Sequence, residues 1–368
     1  MIFKYKRWET YALINDILLL PIIILKGNDR MERQIHEIFN DKIITAAREK
    51  YSMDQGSLKK IGGFENYVFG FTNEGREYIL RITHNSHRDK EMLESELDFV
   101  EFLYQNGADV CMPVYSIYNQ LVEEIPVDEN NCFFTTAFSK APGRHITPAD
   151  GCDALYEEWG RSVGKLHRIA KNYNPKSTIK KRPLWYEDKI FTHVYEYLPK
   201  GHEVIADKLL SLTKRLKSLP MTADTFGLMH TDVHSGNFFA DNGKITIFDF
   251  DDSSYQYFIS DIAIALFYPL LGIDTTENKL RFSDRFLKAF FKGYEQENYL
   301  SPYQISLLPD FLKLREIELY VVIYRSCDMA NPGPWETNYM KGRKESIEND
   351  TPFTGMDLDL TPFFKERV

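Results

Sequence analysis

The sequence predicts an α+β fold in two lobes, a small N-terminal lobe with a mixed β-sheet and a mainly helical C-terminal lobe. Short strand-like runs and two amphipathic helices fill the chain up to residue 138, and helical periodicity dominates after it. A Pro/Gly break with the sequence Ser-Lys-Ala-Pro-Gly separates the two parts at 139–143. We therefore place the lobes at residues 31–138 and 139–368.

The order of elements follows from apolar spacing. Helical spacing in the small lobe predicts helices near 31–50 and over 89–106, the second ended by Gly107. Short apolar and β-branched runs predict strands at 58–61, 67–72, 77–82, 114–118, 120–124 and 132–138. In the large lobe, helices are predicted at 149–170, 202–219, 260–271, 279–299 and 302–329.

The composition is that of an ordinary globular protein. The 368 residues are 43% hydrophobic and 27% charged, which suffices for two lobes with a substantial core. A net charge of −9 without a basic stripe argues against nucleic-acid binding. The short basic run at 180–182 is interpreted as a solvated loop. Four cysteines without any C-x-x-C pairing fit a reducing cytoplasm, where we place the protein.

Residues 1–30 do not match the pattern of the rest. Basic residues at 4, 6 and 7 precede an apolar run at 17–25, but no small-residue cleavage site follows. Nine apolar residues broken by Pro21 are too few to span a bilayer as a helix, so we expect no membrane insertion. We interpret residues 1–30 as an extension outside the core fold, explained by a misassigned start. An accessory helix on the small lobe is the alternative.

The most informative stretch is His230-Thr-Asp-Val-His-Ser-Gly-Asn237, followed by Asp249 on the next predicted hairpin. Asp232 precedes Asn237 by five positions, the interval between the catalytic Asp and the metal-binding Asn of the loop H-R-D-L-x-x-x-N. Phosphoryl transfer from a Mg-nucleotide needs an acceptor hydroxyl held in line and cations that absorb charge. We therefore predict Asp232 as the catalytic base and Asn237 and Asp249 as Mg²⁺ ligands.

These motifs resemble those of the aminoglycoside phosphotransferase and choline kinase family, small-molecule kinases with a two-lobed protein-kinase-like fold. The family patterns H-G-D-x-H-x-G-N, I-D-F/W and G-D-x-A match 230–237, 247–252 and 260–263, with Thr231 replacing Gly and Ser235 replacing Pro. The resemblance implies ATP-dependent or GTP-dependent phosphorylation of a small-molecule hydroxyl. The acceptors it implies are amino alcohols, amino acids, sugars and aminoglycosides, and it does not rank them.

The resemblance also implies where the nucleotide binds. Gly62, Gly63 and Asn66 match the family's Gly-Gly-x-x-Asn loop, in which backbone N–H groups approach phosphates, although a plain hairpin turn explains the same residues. No G-x-G-x-x-G loop is present. The positions where the family's hinge backbone meets adenine are Ala137, Phe138 and Ser139.

Arg81 is the clearest departure from the family, because it stands on a predicted strand where Lys is usual. Arginine keeps the positive charge and can bind phosphate through two N–H groups. Its expected carboxylate partner is Glu96 on the following helix, with Glu94 and Glu101 close enough in sequence to compete. A solvent-facing arginine on a strand is the alternative.

The predicted helix 302–329 carries charges although it is apolar on nearly every side, which indicates burial. Buried charges must be paired or must face a pocket. Arg315 and Glu318 are three positions apart and can pair with each other. Alternatively, Glu316 or Glu318, with Asp328, forms an anionic wall that selects an amine-bearing alcohol. The sequence leaves both interpretations open.

Three residues are predicted to support the catalytic loop rather than to react. His167 matches a histidine of the family's Leu-x-x-Leu-His helix, and we expect it to support the loop. His230 is expected to pack under the loop and to bond its backbone. Asp261, at the start of a helix, is expected to cap or orient the loop.

Other functions also fit these residues. His230, Asp232 and His234 alternate, so on a strand they would share a face and could bind a transition metal, as in a hydrolase. That interpretation leaves Asn237 and Asp249 unexplained. Within the fold, the alternatives are a protein serine/threonine kinase and a nucleotide-binding pseudokinase.

Overall fold

The computed structural model describes residues 35–63 and 65–364. Its small lobe is built on a sheet of six antiparallel strands. The six strands are β1 (Lys59–Gly62), β2 (Tyr67–Asn73), β3 (Arg76–His84), β4 (Pro113–Val114), β5 (Glu123–Pro126) and β6 (Cys132–Ser139). The order in the sheet is β1-β2-β3-β6-β4, and β5 also pairs with β6. Strand β3 is therefore central, with Arg81 between Val68 and Thr136. The interpretation of residues 1–30 lies outside the described residues.

Two helices accompany this sheet, α1 (Asp41–Lys50) and α2 (Lys90–Gln105). The single helix predicted over 31–50 is wrong in the described part, because a turn at 35–38 is separated from α1. Asn40 causes the break: its side chain accepts the N–H of Lys42 at 2.9 Å and caps α1. Helix α2 matches its prediction and begins at Asp89, which accepts the N–H of Met92 at 2.8 Å.

The predicted strands 114–118 and 120–124 are mostly wrong. Only Pro113–Val114 and Glu123–Pro126 pair in the sheet. The hydroxyl of Ser116 accepts the N–H groups of Tyr118 and Gln120 and closes a turn between them. Side-chain bonds of this kind compete with strand pairing.

The large lobe is helical around two short strand pairs. Its helices are α3 (Asp153–Ala170), α4 (Lys189–Thr192), α5 (Val194–Tyr197), α6 (Glu203–Lys217), α7 (Ile259–Leu271), α8 (Thr276–Tyr294), α9 (Pro302–Ser306), α10 (Leu308–Ser326), α11 (Pro334–Met340) and α12 (Arg343–Glu348). The antiparallel pairs are β7 (Phe226–Met229) with β10 (Ser254–Tyr257), and β8 (Phe238–Asp241) with β9 (Lys244–Ile247). The predicted helix 302–329 is two helices, because Pro309 begins the second one.

The large core connects the two lobes through α2. Phe99, Val100 and Leu103 of α2 belong to the same buried cluster as α3, α7, α8 and α10. A separate, smaller cluster lies between the sheet and α1. The end of α2 is therefore fixed to the large lobe while its start faces the sheet. Within the described residues, none of the helices has both the length and the apolar character of a membrane span.

Candidate active site

The catalytic loop runs from the end of β7 to the start of β8, and a buried carboxylate sets its backbone. Thr231 has a left-handed backbone, with a φ of 64°. Its N–H donates to Oδ1 of Asp261 at 2.9 Å, and Asp261 is fully buried at the start of α7. His167 Nε2 donates to Oδ2 of Asp261 at 3.0 Å. Asp261 thus orients the loop, as the sequence predicted, and His167 supports it.

Both histidines of the loop are occupied by local bonds. His230 Nε2 donates to the carbonyl of Phe248 at 3.0 Å, and its Nδ1 accepts the N–H of Asp232 at 3.2 Å. His234 Nδ1 accepts the N–H of Gly236 at 2.9 Å, and its Nε2 lies 3.3 Å from Asp232. Metal ligation would require breaking these bonds. In the described part of the chain, His230, Asp232 and His234 do not converge as metal ligands, which contradicts the hydrolase interpretation.

Asp232 is held through both carboxylate oxygens. Oδ1 accepts Nη2 of Arg315 at 2.5 Å, and Oδ2 accepts the amide nitrogen of Asn237 at 3.0 Å. Burial favours the neutral acid, but the interactions with His234 and Arg315 outweigh it and lower the pKa of Asp232 to about 2. The carboxylate is therefore ionised at neutral pH. The side-chain nitrogen of Asn237 donates to Asp232, so the side-chain oxygen is the atom that can bind a cation.

Asp249 follows β9 and points into the cleft between the lobes. Its φ is 68°, and its side chain is 52% exposed. Oδ1 lies 3.8 Å from Nη1 of Arg81. Partial loss of solvation beside the buried Arg81–Glu96 pair raises the pKa of Asp249, against the attraction of Arg81, and repulsion from Asp251 and Glu96 adds to it. Carboxylates crowded in this way suit a divalent cation, which would relieve their repulsion.

Arg81 and Glu96 form a buried, two-pronged ion pair between β3 and α2. The two N–H···O distances are 2.9 and 2.6 Å. Arg81 is 5% exposed, which rules out a solvent-facing role. Glu96 is the partner that the sequence favoured. Glu94 lies near Lys90 instead, and Glu101 accepts the hydroxyl of Tyr115.

The glycine-rich turn between β1 and β2 requires a glycine at one position. Gly63 has a φ of 120°, and a Cβ there would lie 1.7 Å from the carbonyl oxygen of Asn66. The side chain of Asn66 accepts the hydroxyl of Thr83 at 2.6 Å, which ties the turn to β3. Gly62 ends β1. The turn is therefore fixed to β3, the strand that carries Arg81, and phosphate binding by these residues stays a prediction.

The predicted hinge residues lie at the end of β6. Ala137 and Phe138 pair with β3 on one side and with β4 on the other, so the sheet already uses their backbone. Ser139 donates its N–H to Met112 at 2.8 Å, and its hydroxyl accepts the N–H of Met112. Contact between these three residues and adenine stays a prediction.

Helix α10 brings two charged residues to the catalytic loop. Arg315 bonds Asp232 and the hydroxyl of Tyr268, and Glu318 lies 3.8 Å from Arg315. The predicted pairing of Arg315 with Glu318 is therefore secondary. Burial raises the pKa of Glu318 to about 7, against the attraction of Arg315, and repulsion from Asp188 and Asp232 adds to it. Asp188, which the sequence did not single out, caps α4 at Ile190.

The other two predicted acceptor carboxylates lie elsewhere. Glu316 is fully buried and bonds Lys313 and Arg343, so its charge is compensated on a different face of α10. Including it in the anionic wall was wrong, because it lies two residues from Glu318 and a helix turns such residues to different faces. Asp328 lies on an exposed turn after α10, where it accepts the N–H of Ala330 at 3.0 Å.

The interpretation of the basic run 180–182 as a solvated loop is right for its two lysines and wrong for Arg182. Lys180 is exposed and pairs with Asp89, but Arg182 is 4% exposed. The guanidinium donates to three backbone carbonyls. A sequence pattern shows no sign of such bonds, because any residue supplies a carbonyl.

Comparison with known proteins agrees with this geometry. Residues 57–304 match the phosphotransferase enzyme family. The amicoumacin kinase of Bacillus subtilis (strain 168) is 32% identical over 333 residues, which cover 89% of this chain and 98% of that protein. The structure of amicoumacin kinase hAmiN in complex with AMP-PNP, Ca²⁺ and Ami has a TM-score of 0.83 at 33% identity, over 89% of this chain and 98% of that one.

A more distant structure shares the fold alone. It is a microcompartment-associated aminopropanol kinase, 17% identical, with a TM-score of 0.70 over 87% of this chain and 100% of that one. The predicted two-lobed, protein-kinase-like fold is confirmed. The chain belongs to the phosphotransferase enzyme family and is a kinase that acts on a small molecule.

Proposed function

We propose that the chain transfers the terminal phosphoryl group of ATP to a hydroxyl of an amine-bearing small molecule. The observation that carries this proposal is the convergence of four side chains at one cleft. Asn237 bonds Asp232 at 3.0 Å, and Asp249 lies 3.8 Å from Arg81. The N–H of Phe248, the residue before Asp249, donates to the carbonyl of Asn237 at 3.0 Å and joins the two pairs. A base, two oxygen ligands for a cation and a phosphate-binding cation are the parts that phosphoryl transfer needs.

Each of these residues has one role in the proposal. The ionised carboxylate of Asp232 orients the acceptor hydroxyl and accepts its proton. Asn237 and Asp249 offer the oxygen ligands that Mg²⁺ prefers, and the metal supplies charge neutralisation at the phosphates when bound. Arg81, held by Glu96, contacts the phosphates. The relative crystallised with AMP-PNP and Ca²⁺ supports ATP and a divalent cation as cofactors. GTP is an alternative donor.

The acceptor side is negative apart from Arg315. Glu318, Asp188 and Asp232 influence one another's charge, as the raised pKa of Glu318 reflects. Such a site favours a cationic group on the acceptor, and an ammonium group suits it. Amicoumacin is the first acceptor to test, because two relatives above 30% identity are amicoumacin kinases. Four free cysteines and a nucleotide substrate also support a cytoplasmic location.

The protein kinase and pseudokinase alternatives are not retained. The two relatives that share about a third of this sequence are kinases of a small molecule. A pseudokinase would not need Asp232, Asn237 and Asp249 together, and all three are present.

Thermal unfolding with nucleotides tests the cofactor part of the proposal. ATP or GTP would be added with Mg²⁺ or with EDTA, to wild type and to Asp249→Asn. A ligand at about 100 times its Kd adds about 2.7 kcal/mol of stability. For a chain of this size, each kcal/mol raises the midpoint by roughly 1–2 °C. We expect a Mg²⁺-dependent shift in wild type that Asp249→Asn lacks.

ADP formation in the presence of an acceptor tests the proposed acceptor and the role of Asp232. Amicoumacin should stimulate ADP formation by wild type, and Asp232→Asn should remove that stimulation while keeping the nucleotide shift. The absence of any nucleotide shift in folded wild type would refute the proposed donor. A nucleotide shift without stimulation by amicoumacin would refute amicoumacin as the acceptor, and other amine-bearing alcohols would then be screened.

A further inference from the structure

Arg182 is a buried cation at the junction of the two lobes, and none of the roles proposed above uses it. Its Nε donates to the carbonyl of Ser253 at 2.6 Å and its Nη2 to that of Asp251 at 2.5 Å. Its Nη1 donates to the carbonyl of Met92 at 3.0 Å. The planar fork of an arginine can reach several acceptors at once, which the single ammonium of a lysine cannot match. Arg182 thus connects one element of the small lobe with one of the large lobe.

On the small-lobe side, Arg182 bonds the turn that carries Glu96. Met92 lies in the first turn of α2. In an α-helix its carbonyl accepts the N–H of the residue four positions later, which is Glu96. The carbonyl that Arg182 bonds is therefore the one that holds the backbone of Glu96, and Glu96 in turn fixes Arg81.

On the large-lobe side, Arg182 bonds the turn that follows Asp249. Asp251 and Ser253 lie between Asp249 and β10, and their carbonyls both accept from the one guanidinium. Asp249 has a left-handed backbone, so the direction of its carboxylate depends on the conformation of this turn. A shift of the turn would move Asp249 relative to Arg81.

Contacts from the same two elements surround Arg182. His87, in the turn before α2, bonds the carboxylate of Asp251 at 2.7 Å. Its neighbour Arg88 bonds Asp252 at 2.7 Å. The start of α2 and the turn 251–253 are therefore joined at several points, with Arg182 buried among them.

We propose that Arg182 is a positioning residue for phosphoryl transfer, which fixes the distance between Arg81 and Asp249 by joining α2 to the turn 251–253. This inference rests on the proposed roles of Arg81 and Asp249. The apolar end of α2 packs on the large lobe independently of Arg182. Loss of the guanidinium should therefore loosen the metal-dependent part of nucleotide binding while the lobes stay folded.

The test compares ATP affinity with Mg²⁺ and with EDTA by titration calorimetry. Arg182→Lys keeps the charge but can bond fewer carbonyls. We expect it to reduce the Mg²⁺-dependent gain in ATP affinity by roughly 10–100-fold, the range for residues that orient metal ligands. Affinity for ATP in EDTA should fall by a much smaller factor, because only the contact of Arg81 with the phosphates is then disturbed. Lys180→Met, which removes a charge from the same loop, should leave both affinities unchanged, because Lys180 forms an exposed pair.

Several outcomes would overturn the inference. In folded Arg182→Lys, a lower melting temperature with the full Mg²⁺-dependent gain would assign Arg182 to stability alone. An equal loss with Mg²⁺ and with EDTA would indicate general distortion of the cleft. If Arg182→Lys does not fold, Arg182→Gln, which keeps N–H donors on a shorter side chain, is subject to the same two criteria. Asp249→Asn, measured in parallel, separates the two failures: if it keeps the gain, the proposed metal site itself is wrong.

Discussion

Arg315 of α10 bonds Asp232 at 2.5 Å, so a cation from the acceptor side holds the residue proposed as the base. The same nitrogen bonds the hydroxyl of Tyr268 at 2.6 Å. Asn237 and His234 approach the other oxygen of Asp232. The carboxylate is therefore fixed from two directions, and its orientation depends on a helix far away in sequence.

We predict that Arg315→Met lowers kcat by about 10²-fold, since small misplacements of a catalytic group have effects of this size. The KM for ATP should not change, because Arg315 lies on the acceptor side. Steady-state ADP release measures both parameters. Arg215→Met is the matched control, because Arg215 pairs with Asp310 at the exposed surface. An unchanged kcat with a raised KM for the acceptor would instead make Arg315 a binding residue.

The sequence could predict those pairs of site residues that lie close together in the chain and whose charges or metal-binding groups need a partner. Asp232 and Asn237 lie in one loop, and Asp249 ends the next hairpin, so their convergence follows from local structure. The pair Arg81–Glu96 could be predicted because an arginine on a buried strand needs a carboxylate. Glu94 and Glu101 remained competitors in the sequence, and it is the contacts of Arg81 in the structure that identify Glu96.

The contacts of α10 could not be predicted, because the helix is buried on nearly every side. Apolar periodicity then indicates no single buried face of the helix, so it does not show whether Glu316 or Glu318 points to the catalytic loop. Two carboxylates compete for Arg315: Glu318 lies three residues away at 3.8 Å, and Asp232 lies 83 residues away in sequence but at 2.5 Å. Only the packing of α10 on α7 decides between them. Arg182 gave no signal either, since its partners are backbone carbonyls.

We predict that the KM for an amine-bearing acceptor falls as the pH rises from 6 to 8. The pKa of Glu318 is raised to about 7 by burial and by Asp188 and Asp232, against Arg315. The carboxylate is mostly protonated at pH 6 and mostly ionised at pH 8, and only the ionised form attracts an ammonium group. For a pKa near 7, the ionised fraction grows about tenfold over this range.

Glu318→Gln is the control for this pH dependence. It should raise the KM for the acceptor and make it independent of pH in this range, while the KM for ATP keeps its wild-type profile. A pH dependence of the same size in Glu318→Gln would contradict the assignment of Glu318 to the acceptor site.

We predict that Arg81→Met destabilises the protein by about 3–5 kcal/mol, because it leaves Glu96 buried and unpaired. The double variant Arg81→Met/Glu96→Leu should regain most of this stability, since an apolar pair can replace a buried ion pair. It should still lack the Mg²⁺-ATP thermal shift, because the cation at the phosphates is gone. Urea unfolding and thermal shift measure the two effects separately.

The exposed pair Lys288–Asp284 is the control for the urea experiment. Lys288→Met should change stability by less than about 1 kcal/mol. If the double variant kept a wild-type nucleotide shift, Arg81 would have only a structural role, and the substitution of the family's usual lysine would have no consequence for phosphate binding.

We predict that Thr231→Gly and Thr231→Val differ in their effect on the free energy of unfolding. Its left-handed backbone is unfavourable by about 1–2 kcal/mol for a residue with a Cβ. Its hydroxyl offsets part of this by donating to the carbonyl of Asp252 at 2.6 Å, a bond that contributes about 0.5–1.5 kcal/mol. Thr231→Gly removes the strain and the bond together, so its stability should stay within about 1 kcal/mol of wild type.

Thr231→Val loses the same bond but keeps the strain, so it should be less stable than Thr231→Gly by at least about 1 kcal/mol in urea unfolding, a difference that measures the backbone strain alone. Both variants retain the N–H that donates to Asp261, so the position of Asp232 should survive in either. We therefore expect kcat to change little in Thr231→Gly. Equal stability of the two variants would mean that the left-handed backbone at this position is not strained.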